Sequence, residues 1–181
     1  MVNLLPRRGT RDGHAGVADF ETSVPLTVQP ALSQMQRYAE LTGLGFLCVD
    51  PASLAVYGAA GPSLVPYIPE DLPQRLGDPS QPQTVEYASG LTYYSLPLPV
   101  VERRRLIAAG YLLSQAGCQP SELVLAAVEQ DWSERRLKWW LLRQKSCPVE
   151  LLRRLLHMAC ALVERDETTP GPQERQAGAD P

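Results

Sequence analysis

The sequence predicts an α+β fold, with a mostly antiparallel sheet of about five strands, helices packed on it, and a C-terminal helical extension. Three features predict it. Short apolar runs of strand length, bounded by turn residues, dominate the chain up to residue 114. After Gly117 the apolar residues recur at intervals of three and four, which is typical of helices. The 44% hydrophobic and 20% charged fractions are ordinary for a globular domain, so disorder of the whole chain is not expected.

The chain divides into four regions by composition. Residues 1–29 mix Gly, Arg, Asp, Thr and Pro without periodicity and are expected to form a flexible arm, in which residues 24–28 could dock as an extended segment. Residues 30–130 form the main domain, and residues 131–166 form the helical extension. Residues 167–181 are polar and rich in Pro, Gly and Gln, which predicts a disordered tail.

The main domain opens with a helix and a β-hairpin. Pro30 suits the first turn of a helix, and Gly43 is placed to end that helix as a C-terminal cap. Residues 44–49 are an apolar run short enough for a strand buried on both faces. Asp-Pro-Ala-Ser at residues 50–53 is typical of a type I turn, and residues 54–59 return as the second strand.

A proline-rich segment, residues 61–83, follows the hairpin and is called the lid below. Its six prolines exclude a long helix or a central strand. It nevertheless carries apolar residues that are unfavourable in solvent: Leu64, Val65, Tyr67, Ile68, Leu72 and Leu76. We therefore expect the lid to lie against the body of the domain, and long loops of this kind are often functional.

Three more strands are expected at residues 84–88, 91–99 and 104–114, the last being apolar on both faces. Because proline cannot donate a ladder hydrogen bond, Pro97 and Pro99 should push their strand to a sheet edge or end it early.

Three helices follow the strands. Pro120 begins the first helix, and Pro148 begins the last. Between them, Asp131 and Glu134 have the spacing of a capping box, with Asp in place of the usual Ser or Thr. The helix they introduce should bury one apolar face, made of Leu137, Trp140 and Leu141.

Several of these segments give the chain a family resemblance. Residues 92–99 (Thr-Tyr-Tyr-Ser-Leu-Pro-Leu-Pro), a short charged tip and residues 105–114 (Arg-Leu-Ile-Ala-Ala-Gly-Tyr-Leu-Leu-Ser) resemble the central hairpin of GAF-type sensory domains of bacterial signalling proteins. Leu-Thr-Gly at 41–43 and Val-Asp-Pro at 49–51 resemble the start of a GAF or PocR-like sensor. The resemblance covers residues 30–130.

The resemblance implies helices on one face of the sheet, a ligand pocket under the lid on the other, and a dimer formed through terminal helices. The chain differs from the family pattern at Ala109, where glycine is usual, in its lid prolines, and in having two helices over residues 131–165 where a minimal domain has one. Family members that are redox enzymes or hold a bilin use cysteines in or beside the lid. This chain has none between Gly58 and Gly117, so no cofactor is expected.

Charge and hydropathy exclude several classes of protein. A net charge of -3 and a pI of about 5.4 argue against nucleic-acid binding. The apolar runs are shorter than the roughly 20 residues of a membrane span, so no membrane contact is expected. Near the N-terminus, no apolar segment of a secretory signal follows the arginines, which predicts a cytoplasmic location.

No C-x-x-C occurs, and reduced structural thiols are expected at Cys48, Cys118, Cys147 and Cys160.

Neither catalytic residues nor a metal site are expected. The only histidines are His14, in the arm, and His157, on the last helix. His157 and Cys160 are three residues apart and could share a metal, but two ligands are too few. They could also form a nucleophile and base, although leucine-rich surroundings raise a thiol pKa. The chain contains no P-loop, G-x-G-x-x-G or G-x-S-x-G motif, so we expect that it is not an enzyme.

A candidate ligand pocket lies under the lid. Its walls would be aromatic rings with hydroxyl groups, which ligand sites favour. The candidate lining residues are Tyr57, Tyr67, Tyr87, Tyr93 and Ser95. Tyr93 and Ser95 should share one sheet face, opposite Tyr94 and Leu96. The alternative is that these rings fill or cover the core.

Two further surfaces are candidates for protein contact. Arg135, Arg136, Trp139 and Arg143 make one helix locally cationic, and this surface could meet an acidic partner, nucleic acid or a membrane surface. A solvated face, with the tryptophans in the core, explains the same residues. On the last helix a seam at intervals of three and four suggests a homodimer. The candidate dimer residues are Leu152, Leu155, Ala159 and Leu162.

Two functions follow as hypotheses. The leading one is a regulatory sensory domain that binds a small molecule or a signalling protein under the lid and reports through its C-terminal helices. The alternative is a non-catalytic adaptor that uses the Trp/Arg helix as a protein-binding surface. A cavity beneath residues 61–83 would favour the first hypothesis. A filled space there, with Trp139 exposed, would favour the second.

Overall fold

The computed structural model describes residues 26–114, 119–144 and 146–168. A 3-10 turn, Leu26–Val28, leads into the regular elements. In chain order these are α1 Gln29–Thr42, β1 Phe46–Val49, β2 Val56–Ala60, α2 Leu72–Arg75, β3 Gln83–Glu86, β4 Leu91–Val101, β5 Arg104–Leu113, α3 Ser121–Glu129, α4 Glu134–Arg143 and α5 Val149–Thr168. The predicted α+β class, with five antiparallel strands and a C-terminal helix, is confirmed.

Some sequence predictions fall outside these ranges. Residues 1–25 of the arm, Cys118 and residues 169–181 of the tail are not among the described residues. The prediction of an extended segment at residues 24–28 is wrong for residues 26–28. Leu26–Val28 forms a 3-10 turn that leads directly into α1.

The five strands form one antiparallel sheet in the order β2-β1-β5-β4-β3. Strand β5 is at its centre, paired with β1 through Leu47↔Ala109 and with β4 through Tyr94↔Gly110. Other elements cover both faces of the sheet at β5, so the last eight residues of this strand are all buried. Strands β2 and β3 are the two edges.

Each face of the sheet has its own core. Helices α1 and α5 cover one face, where Tyr94 and Leu96 of β4 are buried among their residues. The lid, α3 and α4 cover the opposite face, where Tyr93 of β4 and Tyr111 of β5 are buried. The alternation predicted for β4 therefore places Tyr93 and Tyr94 on opposite sides of the sheet. The sheet is the middle of three layers.

Local signals for the first helix and hairpin are confirmed. Gly43 has a left-handed φ of 67° and its N–H bonds to the Ala39 carbonyl at 2.8 Å, which is a glycine cap. The Asp50 carboxylate accepts a hydrogen bond from the Ala52 N–H at 2.9 Å and another from the Ser53 hydroxyl at 3.0 Å. These bonds hold the turn between β1 and β2.

The proline prediction for β4 is only partly right. Strand β4 does not end early, because it continues to Val101, with a register shift between Pro97 and Val100. However, β3 pairs with β4 only as far as Ser95, so both prolines lie where β4 has no partner on that side. A missing N–H is harmless at such a position.

The predicted cap of α4 is wrong. The N-cap is Ser133, whose hydroxyl accepts a hydrogen bond from the Arg136 N–H at 3.2 Å. Asp131 lies in the preceding turn with a left-handed φ of 57°. A serine cap satisfies one of the free N–H groups of the first helical turn, as the aspartate was expected to do.

Candidate functional site

A row of hydrogen bonds fastens the lid to the sheet. The carbonyl of Ser63 accepts from the indole Nε1 of Trp140 at 2.7 Å. Two residues on, the carbonyl of Val65 accepts from the Tyr111 hydroxyl at 2.8 Å. The carbonyl of Tyr67 completes the row, accepting from the Tyr93 hydroxyl at 2.9 Å.

The spacing of these carbonyls has a simple cause. In an extended chain, alternate residues face the same way, so three carbonyls at intervals of two meet one surface. The donors come from α4, β5 and β4, and the lid therefore joins the helices of this face to the sheet. A fourth bond runs from the Gln130 side-chain amide to the Pro66 carbonyl at 3.2 Å. Pro66 lies between Val65 and Tyr67, so in an extended chain its carbonyl faces the opposite way from theirs.

Aromatic rings fill the space beneath the lid. Ring centroids are 5.3 Å apart for Tyr87 and Tyr93, 5.3 Å for Tyr93 and Tyr111, and 6.2 Å for Tyr111 and Trp140. Trp132 continues the row at 6.0 Å from Trp140. Such distances are those of rings in direct contact. The lid adds Val65, which is completely buried among them.

Burial keeps these hydroxyl groups protonated. It raises the pKa of Tyr93 and of Tyr111 far above the ordinary value of a phenol, because a buried phenolate would lose its hydration. Both side chains are therefore hydrogen-bond donors at every physiological pH. The bonds to the lid carbonyls do not depend on any neighbouring charge.

The predicted pocket residues separate in the structure. Tyr67, Tyr87, Tyr93 and Ser95 lie on the lid side of the sheet, and the last two are buried. The assignment of Tyr57 to this pocket is wrong. Its ring packs against the core of α1 and α5, and its hydroxyl accepts from Arg104 at 3.0 Å. Tyr87 donates to the Asp71 carboxylate at 3.0 Å, which fastens the outer part of the lid.

The outer face of α4 has the opposite character. Its inner residues Leu137, Trp140 and Leu141 are buried as predicted. An outer face remains, which consists of Arg135, Arg136, Trp139, Leu142 and Arg143. Trp139 is 55% exposed and Leu142 is 77% exposed. We call this surface the α4 outer face.

Arginines stack on two tryptophans here, the exposed Trp139 and the partly buried Trp132. The guanidinium carbon of Arg143 lies 3.6 Å from the centroid of the Trp139 ring, and that of Arg136 lies 4.0 Å from the Trp132 ring. A cleft of about 330 Å³ opens beside them, lined by Ser133, Arg135, Arg136 and Trp139. The four residues predicted for partner binding therefore lie on one surface, and three of them line the cleft.

Helix α5 presents two apolar faces, and the predicted dimer residues divide between them. Leu152 and Ala159 are buried in the core against the sheet, so their assignment to a dimer surface is wrong. Leu155 and Leu162 lie on the outer side instead. With two exposed residues that the prediction lacked, they form the α5 outer seam: Leu151, Leu155, Met158 and Leu162.

The His157 and Cys160 pair does not resemble a nucleophile and its base. The Cys160 thiol is buried and lies 3.4 Å from the Glu164 carboxylate. Burial, and then the hydrogen bond to Glu164, raise the pKa of Cys160 to about 11, so it is a thiol rather than a thiolate at neutral pH. His157, one helical turn before Cys160, is exposed and lines a cleft beside Thr84 and Arg153.

Comparison with protein-family models, with curated proteins and with solved structures finds no match to this chain. Among the helices of the described residues, none combines the length and the hydropathy that crossing a membrane requires. In the same ranges, no three His, Cys, Asp or Glu side chains lie close enough together to hold a metal ion.

Proposed function

We propose that this chain is a non-catalytic regulatory domain that binds a protein partner through the α4 outer face. The observation that carries the proposal is the exposure of Trp139 and Leu142 on an arginine-rich helix. Tryptophan and arginine are the residues most enriched among those that dominate protein–protein binding energy. A solvated helix face would gain nothing from two large apolar side chains.

Charge indicates the chemistry of the partner. Helix α4 carries four basic residues and one acidic residue, whereas the whole chain has a net charge of -3. A local excess of positive charge favours a partner of the opposite sign. The partner segment should therefore be acidic and carry a large apolar side chain, which would enter the cleft beside Trp139.

Small-molecule sensing under the lid is the weaker hypothesis. A ligand there would have to displace buried rings and break the three bonds to the lid carbonyls. At a net value of about 1 kcal/mol for each hydrogen bond, opening the lid costs about 3 kcal/mol before any ring is exposed. The GAF resemblance remains the argument in favour of that hypothesis.

The proposal includes the assembly and location of the domain. We expect a cytoplasmic domain that does not bind nucleic acid and that forms a homodimer through the α5 outer seam. The seam residues follow one another at intervals of four, three and four, the spacing of a coiled-coil stripe. Two heptads are a short interface, so the dimer should be weak.

A synthetic peptide tests the proposal. The probe is a 15-residue helical peptide with glutamates on one side and Leu and Phe on the other, measured by fluorescence anisotropy with the full chain. We expect binding that weakens with added salt, because surface charges are screened. Trp139→Ala should cost about 2 kcal/mol or more, which is roughly 30-fold in Kd.

Two controls complete the test. Leu125→Ala removes a similarly exposed apolar side chain from α3 and should leave the affinity unchanged. A peptide with lysine in place of every glutamate should not bind. Equal affinity of the wild-type chain and the Trp139→Ala variant would contradict the proposal.

A further inference from the structure

A second cleft lies on the other side of the sheet, between the edge strand β3 and helix α5. It has a volume of about 280 Å³ and is lined by Pro82, Gln83, Thr84, Arg153, Leu156 and His157. Thr84 is paired with Tyr94, whose ring belongs to the α1–α5 core, so the Thr84 side chain points towards α5. We call this site the β3–α5 cleft.

The polar side chains of the cleft converge as hydrogen-bond donors. Arg153 donates from Nε to the Thr84 hydroxyl oxygen at 2.8 Å and from Nη1 to Glu150 at 2.8 Å. Among the described residues its Nη2 group has no hydrogen-bond partner. The Thr84 hydroxyl accepts from Arg153 and keeps its own hydrogen to donate. The His157 ring can donate as well.

No acidic side chain lines this cleft in the described part of the chain. The carboxylate nearest to Arg153 is that of Glu150, and it is 77% exposed, so solvent screens most of its attraction. The floor is apolar, formed by Pro82 and the completely buried Leu156. An apolar floor excludes water from one side of a bound group and strengthens its hydrogen bonds.

We propose that the β3–α5 cleft binds a small oxyanion, a carboxylate or phosphate group, with Arg153 as its principal ligand. The Nη2 group of Arg153 can donate a charge-assisted hydrogen bond to one oxygen of such an anion, and bonds of this kind are stronger than those between neutral groups. The volume equals that of about nine water molecules at roughly 30 Å³ each. Orthophosphate or a short dicarboxylate fits this volume. This site is independent of the α4 outer face.

The scarcity of histidine makes a direct test available. The chain has two histidines, so the His14→Asn variant leaves His157 as the only histidine signal in the NMR spectrum of the full chain. The probes are potassium phosphate and sodium succinate, titrated at fixed pH and fixed ionic strength with sodium chloride as the balance. We expect a saturable shift of the His157 ring signals, with a Kd of roughly 1 mM.

Three variants in the same background assign the site. Arg153→Gln should weaken binding by about tenfold or more. Arg154→Gln removes the same charge from the neighbouring exposed position, which does not line the cleft, and should leave binding unchanged. Glu150→Gln removes a carboxylate that competes for Arg153 and should tighten binding by about two- to threefold.

The outcomes separate clearly. Saturation by phosphate alone, or by succinate alone, supports the site and identifies the oxyanion that it selects. A shift that grows linearly with concentration, or an equal shift with sodium chloride alone, would overturn the proposal. Equal weakening by Arg153→Gln and Arg154→Gln would also overturn it, because bulk charge would then explain the binding. The Glu150→Gln variant keeps the test decisive if Arg153→Gln fails to fold.

Discussion

The Tyr111 hydroxyl offers the sharpest test of how the lid is held. In Tyr111→Phe the ring remains between Tyr93 and Trp140, and only the bond to the Val65 carbonyl is lost. That carbonyl belongs to a completely buried residue. Leaving a buried acceptor without a partner costs about 1–3 kcal/mol. For a domain of this length, at about 2–4 °C per kcal/mol, we expect the midpoint of thermal unfolding to fall by about 2–12 °C.

Two measurements follow the change. Urea denaturation should show a lower free energy of unfolding with an unchanged m-value, because the surface exposed on unfolding stays the same. Hydrogen exchange should increase in residues 61–83 more than in β5, because one of the three lid carbonyls bound by aromatic donors loses its hydrogen bond.

The matched control is Tyr57→Phe. It makes the same chemical change at a hydroxyl whose only hydrogen-bond partner within the described ranges is the exposed Arg104. We expect a loss below about 0.5 kcal/mol there. Equal stability of the Tyr111→Phe and Tyr57→Phe variants, with unchanged exchange in the lid, would refute the proposed fastening of the lid.

Three other results are expected. Gly110→Ala should destabilise the domain by about 1–3 kcal/mol in urea denaturation, because a Cβ there would meet the Gly45 carbonyl and lie 2.6 Å from the Tyr94 ring. Met158→Glu should make the protein monomeric in sedimentation equilibrium without loss of stability, because that side chain is 55% exposed on the α5 outer seam. A wild-type chain that is monomeric at high concentration would contradict the dimer. Stability should be constant through neutral pH, begin to fall near pH 9 as the unfolded chain releases the protons of Cys48 and Cys160, and fall more steeply above about pH 10, by about 1.4 kcal/mol per pH unit for each buried phenol. Burial raises the folded-state pKa of these phenols, so only the unfolded chain releases their protons. The phenols are Tyr38, Tyr93, Tyr94 and Tyr111. A stability that stays constant up to pH 11 would contradict this expectation.

Much of the fold follows from local signals in the sequence. The glycine cap at Gly43, the Asp50 turn and the apolar β5 each depend on residues within a few positions of one another. The cap of α4 was missed although it is equally local. Asp131 and Ser133 are both good capping residues, and the left-handed backbone at Asp131 decides between them.

The candidate sites were harder to predict, because they depend on which face each residue takes. Tyr111 looked like a core residue in an apolar strand, and nothing local shows that its hydroxyl meets the lid 46 positions away. On α5, leucines occupy both the buried and the outer face, so spacing alone could not separate Leu152 from Leu151. Arg153 and Thr84 are 69 positions apart, and only the packing of α5 beside β3 brings them together.

The central claim is that the domain binds its partner through the α4 outer face and not under the lid. Hydrogen exchange of the full chain, with and without the acidic helical peptide, tests it most directly because it reports every segment at once. We predict protection in residues 134–143 and no change in residues 61–83. Protection confined to the lid, with α4 unchanged, would contradict the account and restore the sensor hypothesis.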